Sequence, residues 1–243
     1  MHEFSCFITL TYEDEHLPES GSLSIRDYQL FLKKLRQHVH REYGLKIRYF
    51  LVGEYGEKTL RPHYHAIIFG WFPPDAKRKY KNKQGDWFYS SETLTKLWGK
   101  GLADFSQVTY KSAAYCARYT LKKSGGKFSA GHYERLNVET GEVVQVLPEF
   151  AKMSLHPGIG KSFYEKFSGD IHNDDYCIVE GRKSRPPRYY DKLLQLRSPE
   201  RYEQIKTERT INADKQSDNN TTARLRVREI VKKSQISTLK RGL

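Results

Sequence analysis

The fold class predicted for this chain is α+β, in which strands and helices occur in turn and the strands pair antiparallel. Residues 4–12 alternate apolar and small polar side chains, which is typical of a half-buried strand. Residues 25–43 instead place apolar side chains at the spacing of a helix with one buried face. Two further strands, residues 46–54 and 61–70, are joined by a short loop, which favours an antiparallel hairpin.

The first helix has recognisable signals at both ends. Ser24 precedes it, with Asp27 three residues later in a pattern that resembles a capping box, and Gly44 follows its last turn. Its apolar positions are expected to face the core: Tyr28, Phe31, Leu32, Leu35 and Val39.

Two histidines of the third strand are candidate metal ligands. His63 and His65 are two positions apart, so both side chains project from the same face of the strand. Glu54 lies near the turn end of the preceding strand, and antiparallel pairing would bring its carboxylate beside them. The same spacing at His38 and His40 predicts no site, because positions two apart on a helix lie about 200° apart. The alternative for the strand residues is a structural histidine pair with a surface glutamate.

The middle of the chain contains a basic stretch followed by further elements. Residues 71–84 are rich in lysine and arginine and contain prolines, and we expect a solvated loop that could contact phosphates. A short helix at 90–98, a strand at 102–109 and an alanine-rich helix at 111–123 are then expected. The remaining patterns predict a strand at 142–147, a short helix at 162–167 and a strand at 175–179.

One face of the 111–123 helix carries two phenols and an ammonium group. Tyr115, Tyr119 and Lys122 fall within roughly 60° of one another around the helix axis. Aromatic side chains at helical spacing usually belong to a core, and that is the alternative to a catalytic role.

The composition favours nucleic-acid binding over a merely basic surface. The 243 residues carry a net charge of +13 with a pI near 9.5, and 13% of them are aromatic, including 17 tyrosines. Basic groups neutralise phosphates, and aromatic faces stack on bases. The three cysteines are dispersed, which argues against a disulfide framework or a zinc knuckle. No secretory signal and no apolar stretch of the ~20 residues needed for a membrane span occur, so we expect a cytoplasmic protein.

Together the candidate residues suggest phosphoryl-transfer chemistry. Glu54, His63 and His65 could hold one divalent cation and leave positions open for a substrate phosphate. A tyrosine phenolate is a competent nucleophile at phosphorus, and its attack conserves the phosphodiester energy in a phosphotyrosine link. Lys122 could lower the pKa of a phenol or contact the phosphate.

Three motifs resemble those of the HUH endonucleases that start rolling-circle replication, most closely the replication initiators of gokushovirus-type microviruses, which are single-stranded DNA bacteriophages. Residues 7–12 are similar to their first motif, and 53–56 with 61–65 to their metal-binding motif. Residues 114–123 resemble their catalytic two-tyrosine helix. Tyr64 departs from the aliphatic residue usual between the histidines. Members also extend upstream in a cysteine-containing segment, so we expect a short form or a missing N-terminal part.

The resemblance implies an HUH-type, ferredoxin- or RRM-like domain with a central antiparallel sheet of about five strands flanked by helices. It places this domain at residues 1–190, followed by a basic, helical or partly disordered extension at 191–243. It implies Mg²⁺ or Mn²⁺ as the cofactor and assigns these site residues: the metal ligands Glu54, His63 and His65, and the catalytic residues Tyr115, Tyr119 and Lys122.

The implied function is metal-dependent nicking and rejoining of single-stranded DNA at the viral replication origin, in the cytoplasm of the bacterial host. One tyrosine would retain the 5′ end and free a 3′-OH for a host polymerase, and the other would cut the regenerated origin. The chain has no GxxxxGK[ST] phosphate loop, so unwinding would need a host helicase. Two alternatives are a transposase or relaxase of the same superfamily, acting on different DNA ends, and a non-catalytic basic DNA-binding protein.

Overall fold

The computed structural model describes residues 2–82, 85–122, 133–136 and 141–238, except for the side chains of Glu19 and of residues 119–122. The chain divides into two compact units, His2–Ile159 and Gly160–Leu243. The predicted functional limits, an endonuclease domain at 1–190 and an extension at 191–243, remain predictions.

The first unit is built on an antiparallel sheet. Its strands are β1 Ser5–Thr11, β2 Arg48–Tyr55, β3 Pro62–Phe69, β4 Lys77–Lys81, β5 Trp87–Ser90, β6 Ala103–Gln107 and, further along, Phe150–Met153, which becomes β9. Two short strands, β7 Glu134–Leu136 and β8 Val143–Gln145, pair with each other. Within the described residues the sheet contains seven strands in the order β4-β5-β6-β1-β3-β2-β9. This arrangement confirms the predicted α+β class.

The larger apolar core lies on one face of the sheet, against helices α1, Ile25–Tyr43, and α2, Glu92–Trp98. The predicted end signals of α1 are confirmed. The Ser24 hydroxyl accepts a hydrogen bond from the Asp27 N–H, and Gly44 ends the helix with a positive φ of 66°. The core-facing positions predicted for α1 are all buried: Tyr28, Phe31, Leu32, Leu35 and Val39.

The opposite face of the sheet carries helix α3, Tyr110–Lys122. A smaller core lies there, in which Phe7, Val52 and Ile67 pack with Cys116. The helix begins with a reciprocal capping box, because the Thr109 hydroxyl accepts from the Ser112 N–H and the Ser112 hydroxyl accepts from the Thr109 N–H. This cap fixes the point at which α3 starts above the sheet.

The sheet has more strands than the five or so expected, for two reasons. The expectation of a loop at 71–84 is wrong for β4, which forms a hairpin with β5. β4 is exposed throughout and has no apolar alternation, so only its backbone pairing makes it a strand. Strand β9 joins the sheet through pairing with β2, a contact between residues about 100 positions apart. The strand predicted at 142–147 is present as β8 but lies outside the main sheet.

The second unit is mostly helical. It contains helices α4 Lys161–Asn173, α5 Arg188–Arg197, α6 Pro199–Asp214 and α7 Thr222–Ser237, and the paired strands β10 Cys177–Val179 and β11 Arg182–Ser184. Arg209 of α6 donates to Asp175 at 2.6 Å and to Asp191 of α5 at 2.9 Å, and so ties these elements together. None of the helices in the described part of the chain combines the length and the apolar character needed to cross a bilayer.

Tyr64 links the centre of the sheet to the start of α1. Its side chain is fully buried, and its hydroxyl accepts from the Ser24 N–H and donates to the Ser24 carbonyl, both at 2.8 Å. The Tyr12 hydroxyl lies 3.0 Å away and donates to Asp27. An aromatic residue therefore stands between the two histidines of β3 because its hydroxyl is bonded to the helix cap on the opposite face.

Replacing Tyr64 by Phe should lower the free energy of unfolding by about 1–3 kcal/mol, because Ser24 would lose a buried donor and acceptor. The measurement is urea denaturation, with Tyr43→Phe as a matched control on a side chain that is 43% exposed. The control is expected to change stability by less than about 0.5 kcal/mol. Equal stability of the two variants would contradict the role given to the Tyr64 hydroxyl.

Candidate metal centre and tyrosine site

The pairing register of three strands brings the predicted ligands together. Glu54 of β2 pairs directly with His63 of β3, and directly paired residues lie on the same face of an antiparallel sheet. His65 is two positions along β3 and so shares that face, which is also the face on which α3 lies. Thr9 of β1 pairs with His65 from the other side. Three adjacent strands thus present one polar cluster.

The ligand atoms have the separation that a divalent cation requires. Glu54 Oε1 lies 2.8 Å from His63 Nε2 and 2.9 Å from His65 Nε2. Two ligands that are about 2.1 Å from a metal and at right angles to each other are themselves about 3.0 Å apart. All three ligand atoms lie within 4.8 Å of one another, and Glu54 and His65 are buried. The group can therefore hold one metal ion, as the sequence suggested.

The far side of each imidazole ring is held by a second residue. His63 Nδ1 lies 3.2 Å from the Arg61 carbonyl, which can only accept, so Nδ1 carries the proton. In the neutral ring, Nε2 then directs a lone pair towards Glu54, an arrangement that a shared cation stabilises. His65 Nδ1 is likewise 3.0 Å from the Thr9 hydroxyl. Such partners fix the tautomer and the orientation of histidine ligands in metal sites.

The electrostatics of the cluster suit metal binding. Burial raises the pKa of the Glu54 carboxyl, but hydrogen bonds from His63 and His65 outweigh this effect and hold the pKa below its ordinary value. Burial lowers the pKa of His65 by more than the Glu54 carboxylate raises it. An anionic carboxylate and a neutral imidazole at neutral pH are the protonation states that ligate a cation.

Tyr115 of α3 reaches this cluster. Its hydroxyl donates to Glu54 Oε1 at 3.4 Å, and its ring meets His65 edge-on at a centroid distance of 5.2 Å. Phe7 stacks on the other side of His65 at 5.2 Å. The neighbouring Cys116 thiol is buried, which raises its pKa to about 12, so it stays protonated and is a poor nucleophile.

The structure brings together four of the six predicted site residues: Glu54, His63, His65 and Tyr115. The backbone of Tyr119 and Lys122 belongs to α3, but their side chains lie outside the described part of the chain, so their roles stay predictions. Sequence reasoning missed Thr9 and Arg61 as supports of the histidines. Strand alternation alone places Thr9 on the Phe7 face, but only the register shows that it lies opposite His65.

Comparison with known proteins relates the chain to phage replication proteins. A family model of replication-associated proteins of the ORF2 type matches residues 5–124. The chain is 34% identical over 208 residues to replication-associated protein VP4 of Bdellovibrio phage phiMH2K, covering 83% of this chain and 61% of the relative. It is 30% identical over 197 residues to replication-associated protein ORF2 of Spiroplasma virus 4, covering 78% and 57%.

A third relative is replication-associated protein ORF4 of Chlamydia phage 1, with 38% identity over 132 residues that cover 50% of this chain and 31% of the relative. The chain thus spans less than two thirds of the length of these three proteins, from 61% down to 31%. No solved structure gives a significant match.

Replacing Thr9 by Val should weaken metal binding by about 10- to 100-fold, because His65 loses the partner that orients its ring. Thr9→Ser keeps the hydroxyl and should bind nearly as tightly as the wild type. Titration with Mn²⁺, followed by calorimetry, measures both affinities. Equal affinity for the Val and Ser variants would show that the hydroxyl does not support the site.

Proposed function

Because the chain belongs to the family of phage replication-associated proteins, we propose that it is a rolling-circle replication initiator that nicks and rejoins single-stranded DNA at the viral origin. The proposal combines a replication role, which the family supports, with a specific chemistry, which the site geometry supports. The reaction is metal-dependent and uses a tyrosine of α3 as the nucleophile.

The observation that carries this proposal is the position of the Tyr115 hydroxyl, 3.4 Å from the carboxylate oxygen of the cation-binding group. Glu54, His63 and His65 would hold Mg²⁺ or Mn²⁺, since a mixed set of imidazole and carboxylate ligands accepts both. When bound, the ion supplies positive charge that polarises the scissile phosphate and stabilises the transition state. A nucleophile at this distance from the ligands is close to any phosphate that the ion binds.

The proposed step balances as an exchange of one phosphodiester for another. The Tyr115 oxygen forms a bond to phosphorus, and the bond from phosphorus to the 3′-oxygen breaks. The proton lost by the phenol ends, in the net reaction, on the departing 3′-oxygen. The products are a 5′-phosphotyrosine link and a free 3′-OH that a polymerase can extend. The reverse attack by a 3′-OH on this link rejoins the strand.

A second tyrosine completes the cycle in this proposal. Tyr119 follows Tyr115 by one turn of α3, about 6 Å along the helix axis. After one round of synthesis it would cut the regenerated origin, and the new 3′-OH would attack the first phosphotyrosine and close the circle. Lys122 would contact the phosphate or lower the pKa of a phenol.

The proposed partners follow from this reaction. Single-stranded DNA at the viral origin is the substrate, and the net charge of +13 favours its binding. A host polymerase would extend the 3′-OH and a host helicase would unwind the duplex, all in the cytoplasm of the bacterial host cell.

Removing both nucleophiles should abolish covalent attachment to DNA. With a single-stranded origin oligonucleotide and Mn²⁺, the wild type is expected to form a protein–DNA adduct that resists denaturing electrophoresis. Tyr115→Phe/Tyr119→Phe should form none, whereas Tyr110→Phe, on an exposed side chain of the same helix, should react normally. Adduct formation by the double variant would place the nucleophile elsewhere.

Removing a metal ligand should separate cleavage from DNA binding. His63→Ala and His65→Ala are each expected to lose cleavage, as EDTA should do to the wild type, because the ion no longer polarises the phosphate. Their affinity for the oligonucleotide should stay within about threefold of the wild type, since phosphate contacts dominate affinity. His40→Ala, on the exposed face of α1, is the control and should cleave normally. Undiminished cleavage by both strand variants would exclude this metal site.

A further inference from the structure

The hairpin formed by β4 and β5 is the most basic exposed part of the sheet. β4 reads Lys-Arg-Lys-Tyr-Lys, and all five residues are exposed. It is an edge strand, hydrogen-bonded to β5 on one side. The charge of this hairpin plays no part in the metal cluster described above, and a charged edge is also a common protection against unwanted strand pairing. Its aromatic side chains and its position relative to the metal cluster point to a binding role.

The pairing register places one side of this hairpin on the same sheet face as the metal cluster. A continuous row of paired residues crosses five strands: His65, Thr9, Asp104, Ser90 and Lys77. Directly paired residues share a face, so Lys77 projects on the same side as His65. Neighbouring strands are about 4.8 Å apart, which puts β4 about 19 Å from β3. A nucleic-acid strand with at least about 3.4 Å per nucleotide crosses this distance within about six nucleotides.

An aromatic platform stands in the adjacent row. Tyr80 pairs with Phe88, and their rings stack at 5.0 Å with an angle of 4° between the planes. Tyr80 remains 44% exposed. Asp104, the one carboxylate in the row to Lys77, is paired with Lys79, whose ammonium lies 2.9 Å from both of its oxygens. Lys79 therefore offsets the negative charge along this path.

We propose that the Lys77–Tyr80 side of the hairpin is a binding subsite for single-stranded DNA that extends across the sheet from the metal cluster. This inference rests on the proposed function and adds a second anchoring point for the same substrate. The Lys77 ammonium binds a phosphate, and the Tyr80 ring, supported by Phe88, stacks on a base. The subsite holds the strand that flanks the scissile phosphate.

The combination of groups favours a single strand over other polyanions. A duplex keeps its bases stacked inside and offers no free base face to Tyr80, whereas an unpaired strand does. An acidic protein surface would satisfy Lys77 but not the exposed aromatic ring. Base–aromatic stacking also tolerates any sequence, as a flanking subsite requires.

The other side of the same hairpin supplies a matched control. Lys81 pairs with Trp87, and its ammonium lies 4.9 Å from the centre of the Trp87 ring, on the face opposite to Tyr80. Lys77→Ala/Tyr80→Ala and Lys81→Ala/Trp87→Ala each remove one cation and one aromatic ring. The binding of a fluorescein-labelled oligothymidylate of about 16 nucleotides is measured by anisotropy in EDTA, at several salt concentrations.

We expect Lys77→Ala/Tyr80→Ala to lower affinity about tenfold or more, and to reduce the slope of log K against log salt by about 0.7 for the lost phosphate contact. The control variant should stay within about twofold of the wild type. Equal losses in both variants, or no loss in either, would overturn the proposal. A duplex that binds as tightly and responds equally would also overturn it.

Circular dichroism and thermal unfolding check that both variants fold. If Lys77→Ala/Tyr80→Ala does not, Lys77→Ala and Tyr80→Leu, which keeps an apolar contact for Phe88, are tested singly with the same expectation. Because EDTA suppresses any cleavage, these outcomes do not depend on the nicking chemistry. A failure of the subsite is therefore distinguishable from a failure of the proposed function.

Discussion

The antiparallel register between β2 and β3 is the constraint on which the candidate site depends. It sets Glu54 opposite His63 and leaves His65 on the same face, two positions along. A slip of one residue would turn every side chain of β3 to the other face and separate the ligands. Tyr64 opposes such a slip, because its buried hydroxyl is bonded to the backbone of Ser24 on the far side of the sheet. The residue between the histidines thus stabilises the register that brings them together.

The two faces of the sheet divide stability from chemistry. The larger core with α1 and α2 is on one face, and the metal cluster is on the other, beneath α3. On the second face, a buried carboxylate and a buried imidazole are tolerated because they bond to each other, and the Thr9 hydroxyl bonds to the imidazole in turn. The capping box of Thr109 and Ser112 fixes the start of α3, and five residues into the helix the Tyr115 hydroxyl reaches Glu54. Local helix signals and long-range strand pairing therefore meet at one point.

The parts of the site that sequence reasoning could find are those set by local periodicity. Alternation in β3 and a short connection to β2 were enough to group Glu54, His63 and His65, and end signals were enough to place α1. What it missed depends on pairing between distant segments. The polar, exposed β4 has no periodic signal and becomes a strand only through its bonds to β5. Thr9 carries no sign of its role, since its partner His65 is 56 residues away. Register, rather than composition, decides both.

The central claim is that Glu54, His63 and His65 bind one divalent cation beside Tyr115. Anomalous X-ray diffraction from crystals grown with Mn²⁺ tests it most directly. The account predicts a manganese peak about 2.1 Å from Glu54 Oε1 and from the Nε2 atoms of His63 and His65, and its loss in Glu54→Ala. A manganese peak elsewhere in the protein, or an unchanged peak in the Glu54→Ala crystals, would contradict it.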